Sequence, residues 1–409
     1  QDQLGAVAND SRRLGTQNGE MDFSLLLDGL AAEREQKITI DVAYRFFATA
    51  RRKYIVADAP GHEQYTRNMA TGASTADLAL IVVNAKSGLT QQTKRHSLIV
   101  SSIGVRSFLV AVNKMDLVDW SEEAFRSIQA EFYALAKELD VGQIACIPIS
   151  ARDGDNLVAR SPHTDWYSGP TLLEYLEQVE VAGAPRRQPF RMPVQWVNRP
   201  NAEFRGYSGL IAGGNAYPGM AVRIFPSGQQ TSIERIVTFD GDAEQSGAGR
   251  SVTLTLKDEV DVSRGDVIAE VGRPPAVTDR IGARIVWMGD QPLASGQSYL
   301  IKLGTATAKA VVQPGLRVLE LDTRKLLSAE QLGMNDIGEC VLRLDRTVAA
   351  DPFWQVKDTG SFILIDPESF DTVGMGLVKL VSGQAPYAKP IQDSWFERLR
   401  SLFRRWPSG

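Results

Sequence analysis

The chain has 409 residues, 43% of them hydrophobic and 23% charged, enough for two or three domains with full cores and too apolar for a disordered chain. A net charge of −4 argues against a general nucleic-acid binder, which needs a basic face. No apolar run reaches the roughly 18 residues of a membrane helix, no signal peptide is visible, and Cys146 and Cys340 stand in separate apolar runs, as free thiols of a cytoplasmic protein do.

Along the first 180 or so residues, short apolar runs alternate with helical patterns. The strands are expected at Ile38–Phe47, Lys53–Ala57, Leu78–Asn84, Phe108–Asn113 and Ile144–Ile149, with helices at Glu63–Ser74, Gln91–Ile103, Ser121–Leu139 and Thr171–Val179. That order predicts a doubly wound, mostly parallel α/β sheet. From about Pro189 the period changes to short alternating strands broken by Gly, Pro and Asp, and a second such block runs from about Asp279 to Val381, so two all-β barrel domains are expected to follow. The expected divisions are 1–183, 189–275, 276–382, and a linker with a terminal helix over 383–409. In that last stretch Trp395, Phe396, Leu399, Leu402, Phe403 and Trp406 share one helical face, which predicts a docked amphipathic helix.

Three strand ends carry chemistry. The run "YIVADAPGHE" stops on Asp58, turns on Pro60-Gly61 and presents His62. Carboxyl ends of strands in α/β sheets face the ligand crevice, so Asp58 can hold a hydrated Mg²⁺ while the Gly61 N–H meets a phosphate. Taken alone, Asp-x-x-Gly is a weak signal. "LVAVNKMD" then places Asn113, Lys114 and Asp116 at another strand end. The Asp116 carboxylate can accept hydrogen bonds from N1–H and the exocyclic N2 of guanine, and adenine offers neither donor. Asn113 can reach the base carbonyl or tie neighbouring loops together, and the Lys114 stem can cover the base plane. "IPISAR" ends the next strand with Ser150, Ala151 and Arg152, placed to give a backbone N–H to guanine O6. Three motifs at three strand ends, in the order a guanine-nucleotide site uses, are far more specific than any one of them.

These residues resemble the translation-factor class of GTPases, whose members are similar to elongation factor Tu and elongation factor 1-alpha. Within that class, "LLLDGLAAEREQKITIDVAYRFF", "DAPGHEQYTRNMATGASTADLALIVVNAKSGL" and "TKRHSLIVSSIGV" look like the large GTPase subunits of bacterial sulfate adenylyltransferases. The resemblance implies GTP and GDP with Mg²⁺ as ligands, His62 positioning the water that attacks the γ-phosphate, and Thr39 of the first switch binding Mg²⁺ in the GTP state. It also implies a smaller ATP-sulfurylase catalytic subunit as partner, in a heterodimer or a multiple of it. That partner would form adenosine 5′-phosphosulfate and pyrophosphate from ATP and sulfate, driven by GTP hydrolysis on this chain. No nucleic acid and no stable membrane insertion are expected. The alternative is an elongation-factor-like carrier of aminoacyl-tRNA.

The sequence departs from the class in two places. Lys37 stands where the class has glycine. No Gly-x-x-x-x-Gly-Lys-Ser/Thr phosphate loop occurs, and the chain opens on Gln1 with residues that resemble the segment after that loop's helix. We expect an N-terminal segment ahead of Gln1 that carries the loop and its strand, rather than a degenerate site. Without that central strand, two apolar strands become sheet edges.

Overall fold

The computed structural model describes residues 41–61, 66–137, 139, 141–180, 188–201, 204–320 and 325–381. Lys37, Thr39, His62 and the expected C-terminal helix lie outside the described residues. The chain divides into two compact units, Gln1–Gly183 and Ala184–Gly409.

In the first unit, β1 (Ala43–Ala48) and β2 (Lys53–Asp58) form an antiparallel hairpin in which Ala43 faces Asp58. There follow α1 (Thr66–Ser74), β3 (Leu78–Asn84), α2 (Gln91–Ser102), β4 (Ser107–Asn113), α3 (Glu122–Ala136), β5 (Gln143–Pro148) and α4 (Leu172–Gln178). The helix starts obey local chemistry. Thr90, Ser121 and Thr171 each accept a backbone N–H from the first turn, and Thr171 with Glu174 completes a capping box. β3, β4 and β5 make a parallel sheet with Asn84 opposite Asn113 and Val112 opposite Pro148.

β4 is apolar from Phe108 to Val112 because both its faces are covered. Phe108, Val110 and Val112 pack with Phe125 and Phe132 of α3 on one side. Leu109 and Ala111 pack with Ile147 and the α4 residues Leu172 and Leu176 on the other. Period-2 alternation therefore disappears, as the sequence reading of buried parallel strands requires.

The α/β sheet is in two parts among the described residues: β1–β2 and β3–β4–β5. Ile55 and Val56 on β2 and Leu80 and Val82 on β3 are exposed apolar side chains, with Ile55 at 69% and Val82 at 58%. The hairpin is tied back by Arg52, whose Nη1 donates to Leu176 O and Val179 O at 3.0 and 2.9 Å at the carboxyl end of α4.

The second unit is all-β. Its first sheet contains β6 (Arg191–Pro193), β7 (Trp196–Asn198), β8 (Gly206–Leu210), β9 (Ala221–Phe225), β10 (Gln230–Thr238), β11 (Ser251–Leu256) and β12 (Val267–Glu270). Their spatial order is β6-β12-β9-β10-β11-β8-β7. Met192, Tyr207, Val222, Ile224, Ile236 and Leu254 fill its interior. The next six long strands are β13 (Ala276–Trp287), β14 (Ser298–Leu303), β15 (Ala306–Val312), β16 (Ile337–Ala350), β17 (Ser361–Ile365) and β18 (Thr372–Val381). They run β13-β18-β17-β14-β15-β16, and β16 pairs again with β13, which closes a six-stranded barrel. Closure removes the sheet edges. Alternate residues such as Ile281, Ala283 and Ile285 point into a core that also holds Trp287, Leu342 and Leu364. Among the described residues no helix is long and apolar enough to cross a membrane.

Candidate functional site

The carboxyl ends of β4 and β5 lie side by side because the two strands are parallel neighbours. Asn113 is the last residue of β4, and its backbone conformation turns sharply at Lys114, at φ 63° and ψ 39°. A left-handed lysine costs of the order of 1 kcal/mol, so the turn needs compensation from its surroundings. Asn113 supplies it. Its Oδ1 accepts from the Lys114 N–H at 2.7 Å and from the Ala151 N–H at 2.9 Å, so one side chain fixes the loop after β4 to the loop after β5. The Met115 N–H donates to Ile149 O and the Ile149 N–H to Val112 O, a second set of stitches beneath the first.

Asp116 lies in the first turn of a short 3₁₀ segment, Met115–Val118. Ser150, fully buried, shares its one hydroxyl proton between Asp116 Oδ1 at 3.0 Å and Asp153 Oδ2 at 2.8 Å. Arg152 Nη2 stands 3.5 Å from Asp116 Oδ2, and its Nε bonds Asp153 Oδ1 at 2.9 Å. The Asp116 side chain is 16% exposed, and one of its carboxylate oxygens is oriented by Ser150. Hydrogen bonds from Arg152, then from Ser150, hold the Asp153 carboxyl below the usual carboxylate range. The oriented Asp116 carboxylate can read a planar heterocycle that presents adjacent N–H donors.

Of the residues singled out in the sequence, Asn113, Lys114, Asp116, Ser150, Ala151 and Arg152 converge here. Asp58, half-buried, ends β2 in the other sheet, and Gly61 is exposed just beyond it. His96 of α2, read from sequence as an ordinary helix residue, lies beside that turn: a Cβ at Gly61 would stand 3.9 Å from its Cε1. Among the described residues no three His, Cys, Asp or Glu side chains group as a metal site. Mg²⁺ is commonly held by one or two carboxylates with water and phosphate oxygens, and the Asp58 carboxylate fits that chemistry.

Sequence reasoning missed the support beneath the site. Asp153 enters the Ser150–Arg152 network, and nothing in "RDGD" beyond a turn signal announced it. Asn156, buried at 1%, donates to Pro148 O and Thr164 Oγ1 and accepts from the Ser161 N–H, which folds the segment after β5 onto the sheet. His163 stacks on Trp120 at 5.3 Å, and Trp166 donates to Trp120 O, so that segment braces the end of the Asp116 turn.

The fold and the strand-end loops define a translation-factor type of GTP-binding protein. Residues 2–181 match the Elongation factor Tu GTP binding domain family, and residues 280–379 match the GTP-eEF1A C-terminal domain-like family. A relative from Methylorubrum extorquens named "Sulfate adenylyltransferase subunit 1" is 52% identical over 95% of this chain and 82% of its own length. One of the same name from Salmonella typhimurium is 47% identical over 99% of this chain and 85% of its own length. The chain belongs to the sulfate adenylyltransferase subunit 1 family. Among solved structures, sup35 complexed with GDP covers 93% of this chain and 90% of its own at 23% identity, with a TM-score of 0.46.

Proposed function

We propose that this chain is the GTP-hydrolysing subunit of a sulfate adenylyltransferase, which works in the cytoplasm. In this reading it couples GTP turnover to formation of adenosine 5′-phosphosulfate and pyrophosphate from ATP and sulfate on a smaller partner subunit. The observation that carries the reading is the seam between β4 and β5: Asn113 bonded to Ala151, and Ser150 bonded to Asp116. Asp116 accepts from N1–H and the exocyclic amine of guanine, with Ser150 holding its rotamer. Asn113 acts by tying the loops, because both bonds of its Oδ1 go to backbone N–H groups, and the Ser150-Ala151-Arg152 turn meets the O6 edge of the base. The Lys114 stem covers one face of the base.

Asp58 and Thr39 serve Mg²⁺, the Gly61 N–H serves a phosphate, and His62 orients the attacking water. Mg²⁺ supplies charge neutralisation at the phosphates, and positioning and electrostatics supply most of what phosphoryl transfer needs. Names of relatives support the sulfate-activation half of the proposal, and the base-reading geometry supports the nucleotide half.

The test is to purify the protein with the second subunit and measure adenosine 5′-phosphosulfate formation with GTP, GDP or neither. GTP-dependent stimulation, lost in His62→Ala while GTP still binds, is the expected result. Product formation indifferent to GTP and to this chain, or stable capture of aminoacyl-tRNA instead, overturns the proposal.

A further inference from the structure

The outer face of the closed barrel carries positive charge that the barrel itself does not neutralise. On β13, Arg280 and Arg284 alternate with the core residues Ile281, Ala283 and Ile285, so both point outward. In the β13–β16 ladder Arg280 lies directly opposite Arg343, and Arg284 directly opposite Glu339. In the second pair the charges are matched: Glu339 Oε1 accepts from Arg284 Nε and Nη2 at 3.0 and 2.7 Å, with Lys379 at 3.7 Å. The first is two like charges in register. Among the described residues neither Arg280 nor Arg343 makes an ion pair within 4.0 Å. Like charges directly opposite on neighbouring strands destabilise a sheet.

Beside them opens a cleft of about 540 Å³ lined by Asp279, Lys309, Gln313, Arg343, Arg346 and Thr347 among others. The Asp345 carboxylate of this cleft accepts the Lys309 backbone N–H at 3.0 Å, and Arg346 Nε lies 3.9 Å away. On a chain of net charge −4, this local cationic excess is out of keeping with the whole.

We propose that this face, centred on Arg280 and Arg343, is a docking surface for a carboxylate-rich surface of a protein partner. The proposal rests on the reading of this chain as one subunit of a two-subunit enzyme. Paired guanidinium groups match carboxylates in bidentate geometry, and an arriving Asp or Glu side chain relieves the Arg280–Arg343 repulsion on binding. Asp279 and Asp345, interspersed on the same face, repel a phosphate backbone, and a nucleic-acid footprint is a continuous basic stripe. Gln313 and Thr347 add neutral hydrogen-bonding groups at the cleft, as polar interface rims do. Charge complementarity of this kind acts mainly on encounter rate and falls with salt.

The experiment measures association of the full chain with the second sulfate adenylyltransferase subunit between 50 and 500 mM salt, for the parent, Arg280→Glu/Arg343→Glu and Arg280→Gln/Arg343→Gln. The expected result is at least a tenfold loss of affinity at low salt for the glutamate pair, with a flattened salt dependence and unchanged guanine-nucleotide affinity. The glutamine pair is expected to lose affinity as well, while melting at or above the parent temperature, because it removes only repulsion. If the parent binds and both variants bind within twofold of it, the docking surface is wrong and the two-subunit reading stands. If the parent does not bind the second subunit at all, that reading fails and the inference with it. Parent binding to tRNA that both variants lose assigns the face to nucleic acid and overturns the proposal. A glutamate variant that melts low leaves the decision to the glutamine pair on the same affinity criterion.

Discussion

Asn113 and Asp116 divide one task between structure and recognition. Asn113 Oδ1 is committed to two backbone N–H groups, whereas one oxygen of Asp116 is oriented by Ser150 and the other lies 3.5 Å from the exposed Arg152 guanidinium. Asp116→Asn would present a donor where guanine also has donors. We expect guanine binding to weaken and to shift toward xanthine, by up to about 10⁴-fold in discrimination. Competition binding with guanine, xanthine and adenine nucleotides checks this, and an unaltered guanine preference would sink the assignment. Ser150→Ala leaves Asp116 in place but frees its rotamer. Hydrogen bonds to charged groups contribute about 1.5–3 kcal/mol, so roughly a ten- to hundredfold loss of guanine affinity is expected, with adenine still excluded. The two cysteines stand at the opposite extreme of reactivity. Burial pushes both the Cys146 and the Cys340 thiols up to about 12. A raised thiol pKa means almost no thiolate at pH 8, so neither is expected to react with an aromatic disulfide reagent until the protein unfolds. Stoichiometric labelling of the folded protein would contradict that.

At the scale of elements, α4 is only seven residues long and cannot stand alone, so its ends and its packing decide whether it forms. Thr171 and Glu174 close its start, and Arg52, reaching from the β1–β2 turn, donates to the carbonyls at its finish. A cation at a helix carboxyl end also meets the negative end of the helix dipole. Thr171→Ala is expected to cost about 1 kcal/mol, visible as a lower unfolding midpoint of the α/β unit. Arg52→Ala should do something different. It should speed backbone hydrogen exchange across Ala43–Asp58 while the β4 amides stay protected, because the hairpin loses its tie and the three-stranded core does not. Equal protection of the hairpin in both proteins would show that Arg52 is not its anchor.

At the scale of the whole molecule, the second unit contains a joint that neither sheet contains alone. Arg191 of β6 meets Asp351, which follows β16, through Nε–Oδ2 at 2.8 Å and Nη2–Oδ1 at 3.0 Å, with both side chains fully buried. Thr359 donates a further bond to Asp351 Oδ2 at 2.7 Å, and Arg191 Nη1 reaches Phe190 O. Phe225, Val267 and Ala269 of the first sheet pack beside the pair against Ala349. Removing one partner leaves a buried charge uncompensated, at about 3–5 kcal/mol, whereas replacing both with apolar residues can be close to neutral. Asp351→Ala should therefore lower the melting temperature sharply or split one calorimetric transition into two. Arg191→Met with Asp351→Leu should recover much of the loss. A single variant that melts with the parent would remove the pair from the joint.

Much of this was legible in the sequence, and the reason is local. Continuous apolar runs such as "FLVAVN" reported a strand covered on both faces, helix starts carried Thr or Ser caps, and Asn-Lys-x-Asp marked a strand end whatever the rest of the chain did. These signals depend on residues close in sequence. What only the tertiary structure decided are meetings between distant residues. Asp153 and Asn156 support the strand-end loops through bonds that no periodicity encodes. Arg191 finds Asp351 across the second unit, and Arg280 faces Arg343 because a bulge between Thr278 and Arg280 sets that register. A side chain's charge can be read from the sequence, but its partner is chosen by strand register and burial, which exist only once the chain has closed on itself.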